Sequence, residues 1–324
     1  MKEISINEIG SVRIGQTENR EAGTGCTVFI SENGMAAGLD VRGGGPASRD
    51  SQLLNPLMAA QTIYGIVLSG GSAFGLGAAN GVMDYLEKHD IGFDVGITKV
   101  PLVVQADLFD LTVGDPFVRP DPAMGYEAAR LAMESPNYKD GNYGAGCGCT
   151  VGKMLGMDYC MKTGIGSYAL QIGELKIGAV VALNAFGNVY DWKNGKLIAG
   201  VLADDKKALR GPERLFEENT QKIENRFVEN TTLAVIITNA AFNKSSLCKI
   251  AGMGHDGYAR SIRPVHTSCD GDSIFAVSVG TVEADQDVVG SLSAEVISEA
   301  IIRAVESAED AYGFYSRGGV ISGL

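Results

Sequence analysis

The spacing of apolar and polar residues divides the chain into segments of different period. Up to about Asp40, short apolar runs alternate with glycine turns, as in "GCTVFISENGMAAGLDV", which reads as antiparallel strands. A loop follows, "DVRGGGPASRDSQLLNP", with three consecutive glycines and two arginines. In "IYGIVLSGGSAFGLGAANGVMDYLEKHDIGF" the pattern predicts strand, glycine turn and amphipathic helix, the helix ending near His89. From Ile165 to Val201, strand-like runs such as "IGAVVALNAFGNVYD" alternate with glycine and asparagine turns. The pattern breaks at "ADDKKALRGPERLFEENTQKIENRFVEN", residues 203–230, which is mostly charged and polar and reads as a linker. After it the order is strand (231–239), helix (about 244–261), strand (273–280) and a final helix (about 287–311). No internal repeat is visible, and residues 1–324 read as one domain.

Composition narrows the class. Hydrophobic residues at 45% and charged residues at 20% suit a globular chain that buries a large core. Glycine, 43 of 324 residues, stands at about twice the usual ~7% and implies many tight turns and close backbone approaches. A net charge of −12 argues against a nucleic-acid partner, which needs a basic face. With no apolar stretch of membrane-spanning length and no secretion signal, no membrane partner and a cytoplasmic location are expected. The six cysteines, at 26, 147, 149, 160, 248 and 269, have no C-x-x-C spacing and read as reduced, mostly buried thiols.

Several short segments carry candidate chemistry. "LSGGSAFGLG" has the placement of a nucleotide-binding turn, but Gly70, Gly71, Gly75 and Gly77 do not match G-x-G-x-x-G. Phe74 stands where a nucleophile elbow needs its last glycine. A tight turn, or a pocket lined by Gly71, Ser72 and Phe74, are the readings left. "NYGAGCGCTVGKMLG" surrounds Lys153 with glycines and apolar neighbours, so partial burial would lower its pKa or demand a carboxylate partner. Arg42 and Arg49 in the triple-glycine loop could hold an anion, or the loop is structural. Asp270 and Asp272 flank Gly271 just before the strand "SIFAVSVG", where alternate residues share a face. Two converging carboxylates can bind a metal, move protons or hold an ammonium, and D-G-D is also ordinary turn chemistry. His255, His266 and Cys269 provide a weak zinc pattern.

Six segments in order, "GLDVRGGGPASRD", "VLSGGSAFGLGAANGVM", "GAGCGCTVGK", "VALNAFGNVYDW", "ENTTLAVIITNA" and "HDGYARSIRPVHTSCDGDSIFAVSVG", together resemble one family. It is the self-processing amidases that include L-aminopeptidase/D-esterases, β-peptidyl aminopeptidases and nylon-oligomer hydrolases. The resemblance runs from about Asn7 to about Gly318 and is nearest to the nylon-oligomer branch, which uses threonine where the aminopeptidases use serine. It implies an αββα sandwich, two facing sheets with helices outside, and a precursor cut between Asn230 and Thr231. The products, 1–230 and 231–324, would remain together as a heterodimer, and homo-oligomers, often tetramers, are implied.

The resemblance also assigns roles. Thr231 would be the nucleophile, with its freed α-amine, unperturbed pKa ~7.7–8.0, as the base. Asp270 and Asp272 match the family's acidic pair, Lys153 a lysine near the nucleophile, and Asn184 the donor to the oxyanion. No metal or organic cofactor is required. The implied substrates are small amides: oligomers of ω-amino acids, β-peptides or amino-acid amides. Phe109 departs from the pattern, standing where relatives carry a tyrosine that assists the oxyanion or substrate. Two alternatives stay open: acyl transfer of the ornithine acetyltransferase type, and an uncut, inactive relative that binds a ligand or acts as a scaffold.

Overall fold

The computed structural model describes residues 1–211 and 230–322. Among these, ten strands form one hydrogen-bonded set. They are β1 (Lys2–Ile4), β2 (Arg13–Asn19), β3 (Thr24–Val41), β4 (Ala47–Arg49) and β5 (Ile63–Ser69). The set continues with β6 (Val103–Asp107), β7 (Ile165–Ile172), β8 (Leu175–Asn184), β9 (Thr231–Ala240) and β10 (Ser273–Val282). The order is β1-β7-β8-β9-β10-β3-β5-β6-β4, with β2 added along β3.

One strand belongs to two sheets. The first half of β3 pairs with β2 and β5, while its second half, Ala36–Val41, pairs with β10. The register against β5 shifts between Ile30 and Met35, where the strand passes from one sheet to the other. Side-chain alternation then sets the layers. Phe29, Ile66, Leu68 and Val104 of one sheet meet Val180, Leu233, Val235 and Phe275 of the other in a shared core. Their neighbours in sequence point outward. Val28, Val67 and Val103 pack under α1 (Ala78–Lys88) and α2 (Pro122–Glu134). Val181, Ala234, Ile236 and Ile274 pack under α3 (Lys244–Ser261) and α4 (Gln286–Glu306). The result is helix, sheet, sheet, helix: the expected αββα sandwich.

β9 explains its own sequence. It lies antiparallel to β8 and parallel to β10, so both edges are paired and both faces covered. A strand in that position carries a continuous apolar run instead of an alternating one, as Leu233–Ile237 does within "TTLAVIITNA". The helices after it begin at side-chain caps: Asn243 Oδ1 accepts from the Ser246 N–H, and Asp285 from the N–H groups of Asp287 and Val288.

Some boundaries differ from the sequence reading. β10 extends to Val282, and α4 stops at Glu306, short of the predicted end near 311. The triple-glycine loop contains the short edge strand β4, paired to β6. Of the predicted linker, residues 212–229 lie outside the described residues. At its end Asn230 is no tether but part of a parallel bridge to Asp270. No helix among the described residues is long and apolar enough to cross a membrane.

Glycine is most consequential where α1 crosses α2. A Cβ on Gly81 would lie 1.8 Å from the Pro122 carbonyl oxygen, and one on Gly125 would lie 2.0 Å from that of Ala78. The helices touch backbone to backbone, so a larger residue must push them apart. Gly125→Val is expected to destabilise the protein by about 3 kcal/mol, the upper range for overpacking. The check is a lower urea midpoint at unchanged slope.

Candidate active site

The N-terminal end of β9 is where distant parts of the chain meet. Thr231, 2% exposed, sits opposite Asn184, the last residue of β8. The loop entering β10 closes the other side. Asn230 donates its N–H to the Cys269 carbonyl (2.8 Å), and its own carbonyl accepts from the Gly271 N–H (2.6 Å). One residue further, the Thr232 N–H donates to Asp272 Oδ1 at 2.8 Å. The Asn230–Thr231 peptide is therefore held from both ends. Gly271 lies against the threonine hydroxyl, since a Cβ there would come within 2.5 Å of Thr231 Oγ1. Only glycine fits.

Both carboxylates of the D-G-D segment are buried and accept hydrogen bonds, which a plain surface turn does not require. Asp270 Oδ2 accepts from the Thr267 N–H (2.9 Å) and hydroxyl (2.6 Å), and its Oδ1 from the Phe186 N–H (3.4 Å). Asp272 Oδ2 accepts from the His266 N–H (3.1 Å) and ring Nδ1 (2.8 Å). Burial, and then the neighbouring charge of Asp272, push Asp270 up to about 6 against the pull of those donors.

Lys153 and Asn184 form the opposite wall. Asn184 Oδ1 accepts from Lys153 Nζ (2.7 Å) and the Thr150 N–H (3.1 Å). Two donors on one atom fix the amide's orientation, so its nitrogen is turned to the Phe109 carbonyl at 2.8 Å. Burial pulls Lys153 down to about 8. The thiols of Cys160 and Cys149 near it are themselves pushed up to about 12 by burial and are neutral at pH 7. The anions left to support the ammonium are Asp270 and Asp110.

The predicted residues do not all meet at one point. Thr231, Asn230, Asp270, Asp272, Asn184 and Lys153 come together. Phe109 joins them through its carbonyl, so the hydroxyl it lacks is not what holds Asn184. Gly71 and Ser72 stand one step away: the Gly71 N–H donates to Asp110 Oδ1 (2.7 Å), and the Ser72 N–H to the Leu108 carbonyl (2.9 Å). Phe74 is 61% exposed, with the Arg119 guanidinium 3.7 Å above its ring. His255 Nε2 meets the Asp40 carbonyl at 3.1 Å, His266 is on Asp272, and Cys269 is half-buried beside Ser268. Among the described residues no group of three or more His, Cys, Asp or Glu converges as a metal site.

Three roles escaped the sequence reading. One is that of the Gly271 N–H, which follows from a backbone bridge. Another is that of the pair His266–Thr267, which had a signal in the density of polar residues just before a strand. The third is that of Asp110, buried with Oδ1 on Gly71 and Oδ2 on the Thr24 hydroxyl (2.7 Å), and pushed up to about 6 by burial.

Comparison with known proteins places the chain in a family. The model of peptidase family S58 matches residues 5–318. An uncharacterized aminopeptidase of Mycobacterium leprae (strain TN) is 33% identical, over 98% of this chain and 94% of its own. A 6-aminohexanoate-oligomer endohydrolase of Paenarthrobacter ureafaciens is 28% identical, over 90% of this chain and 83% of its own. The solved L-aminopeptidase D-Ala-esterase/amidase of Ochrobactrum anthropi, a variant of the Ntn hydrolase fold, has the same architecture. It superposes with a TM-score of 0.71 at 16% identity, over 97% of this chain and 89% of that one. The chain belongs to peptidase family S58 and is a hydrolase of amide bonds.

Proposed function

We propose that the chain cuts itself between Asn230 and Thr231, and that the freed Thr231 is the N-terminal nucleophile of an amidohydrolase. One observation carries this reading. The Gly271 backbone holds the Asn230 carbonyl oxygen at 2.6 Å and also lies against Thr231 Oγ1. The donor for a developing oxyanion and the attacking hydroxyl thus flank the same peptide.

In the precursor, Thr231 Oγ1 adds to the Asn230 carbonyl carbon through a five-membered ring. The oxygen takes up negative charge on the Gly271 N–H. Asp270, next to that glycine, receives the hydroxyl proton and passes it to the leaving nitrogen as the C–N bond breaks. The resulting ester is hydrolysed by water, leaving the Asn230 carboxylate and Thr231 with a free amine and hydroxyl. Both products stay assembled, because β9 remains paired to β8 of one fragment and β10 of its own.

In the mature enzyme the Thr231 amine takes the hydroxyl proton during attack on a substrate amide and returns it to the departing amine. The acyl ester is then released by water. Lys153 keeps Asn184 oriented, and of the two amide N–H groups of Asn184 the one not on Phe109 serves the substrate oxyanion. Such a donor contributes about 3 kcal/mol to the transition state. The likeness to a 6-aminohexanoate-oligomer endohydrolase and to an aminopeptidase supports small amides built from amino acids as substrates: ω-amino acid oligomers, β-peptides and amino-acid amides.

Three outcomes test the reading. Intact mass of the wild type is expected to resolve into 1–230 and 231–324, with Thr231→Ala remaining whole. A wild type that also stays whole on long incubation removes the proposed base and ends the proposal. Gly271→Ala places a methyl group 2.5 Å from the nucleophile and is expected to slow cutting at least 100-fold while the protein still folds. The third outcome concerns pH. Asp270 gains its proton below about 6, and Lys153 loses its own above about 8. The first-order cutting rate, measured on protein isolated before cutting is complete, should fall as the pH drops through about 6 and level off above it, whereas turnover by the mature enzyme, which relies on Lys153 to orient Asn184, should fall above about 8. A rate that climbs steadily from pH 6 to pH 9 contradicts these assignments.

A further inference from the structure

Two consecutive residues, His266 and Thr267, each grip one carboxylate of the acidic pair with two donors. His266 gives its backbone N–H and ring Nδ1 to Asp272 Oδ2, at 3.1 and 2.8 Å. Thr267 gives its backbone N–H and hydroxyl to Asp270 Oδ2, at 2.9 and 2.6 Å. All four donors come from one dipeptide, and the two carboxylates they hold are only two positions apart.

The backbone at this point is unusual. His266 has φ +58°, in the left-handed region that a residue bearing a Cβ seldom enters. Such a conformation costs free energy and persists where surrounding contacts over-determine it. Here aromatic neighbours supply such contacts. The ring lies edge-to-face on His255, centroids 4.7 Å apart, and 6.0 Å from the ring of Tyr258, so α3 backs it. The other oxygen of Asp272 accepts the Thr232 N–H, which continues the chain of contacts to the residue beside the nucleophile.

We propose that His266 and Thr267 are positioning residues. They fix Asp270 and Asp272 against the N-terminal end of β9 and so set the register between the acidic pair and Thr231. The part concerning catalysis rests on the reading of Thr231 as nucleophile. The part concerning position does not, since it follows from the contacts of Asp272 with Thr232.

Self-cutting followed by intact mass tests the first part. Thr267→Val keeps the shape and removes the hydroxyl, and a fall in rate of at least tenfold is expected. Thr267→Ser restores the donor and should return the rate to within about threefold of wild type. His266→Ala should also slow cutting at least tenfold. His266→Asn places an amide N–H near the position of Nδ1 and should recover most of the loss, whereas His266→Gln, whose donor lies one carbon further out, should not. Thr267→Val should in addition move the acid limb of the rate profile to higher pH. Asp270 would then be faced by Asp272, the Phe186 and Thr267 amides and Lys153, with one proton-opposing donor fewer.

Hydrogen exchange at the Thr232 amide, measured in the uncut Thr231→Ala protein, tests the second part without any activity. Adding His266→Ala should speed that exchange at least tenfold, and adding His266→Asn should not. If His266→Ala does not fold, the His266→Asn and His266→Gln pair decides by the same exchange. The proposal is overturned if Thr267→Val or His266→Ala cuts within twofold of wild type, if Asn and Gln at 266 behave alike, or if Thr232 exchange is unchanged. A wild type that never cuts would defeat the reading of Thr231, and the exchange measurement would still decide the role of His266.

Discussion

The bridge between Asn230 and the segment Cys269–Gly271 is the interaction on which the site depends. Its two hydrogen bonds join the residue before β9 to the residues before β10, and they do so only because those strands run parallel side by side. The peptide after Asn230 cannot drift, since Thr232 is held by Asp272 on one side and Thr231 is paired with Asn184 on the other. In the proposed self-cutting the hydroxyl is a weak nucleophile, and holding its target carbonyl in place would lower the entropic part of the barrier before any acid or base acts. Rigidity here is a chemical asset.

The same position carries an electrostatic cost. Two carboxylates and a lysine are buried together, and each prefers water. Burial dominates the titration of both Asp270 and Lys153, pushing one up and the other down until their values lie within about two units of each other around neutrality. The hydrogen bonds from Thr267, Phe186, His266 and Thr232 offset part of that cost for the acidic pair. For Asp270 they oppose the upward push of burial without exposing the carboxylate. A site with fewer donors would hold neutral acids, and a more solvated one would lose the proximity of the pair to β9.

Several features were legible in the chain itself. The unbroken apolar run from Leu233 to Ile237 marked a strand covered on both faces, and the period-3.6 pattern marked α3 and α4. Motif resemblance selected Thr231, Lys153, Asn184 and the acidic pair, and the structure brings them together. Phe109 was noticed as a departure, yet what touches Asn184 is its carbonyl, and a carbonyl is the same in every residue. α2 went unread although Asp121 caps it and Pro122 opens it, because its small residues, Gly125, Ala128, Ala129 and Ala132, blur the apolar stripe. Gly125 is small because α1 presses against it, and Ala128 and Ala132 lie against Gly15 of β2.

The sequence by itself determined the elements and the chemical inventory, because the periods of 2 and 3.6 and the side-chain types are local properties of a chain. The tertiary structure alone decided which of these groups share a site. Residues 109, 153, 184, 231 and 266–272 converge because β9 inserts between β8 and β10, a strand order that no local pattern encodes. The decisive contacts there use backbone groups, the Gly271 N–H on the Asn230 carbonyl and the Phe109 carbonyl that accepts from the Asn184 side chain. Backbone groups are identical along the chain, so only their position in the folded protein distinguishes them.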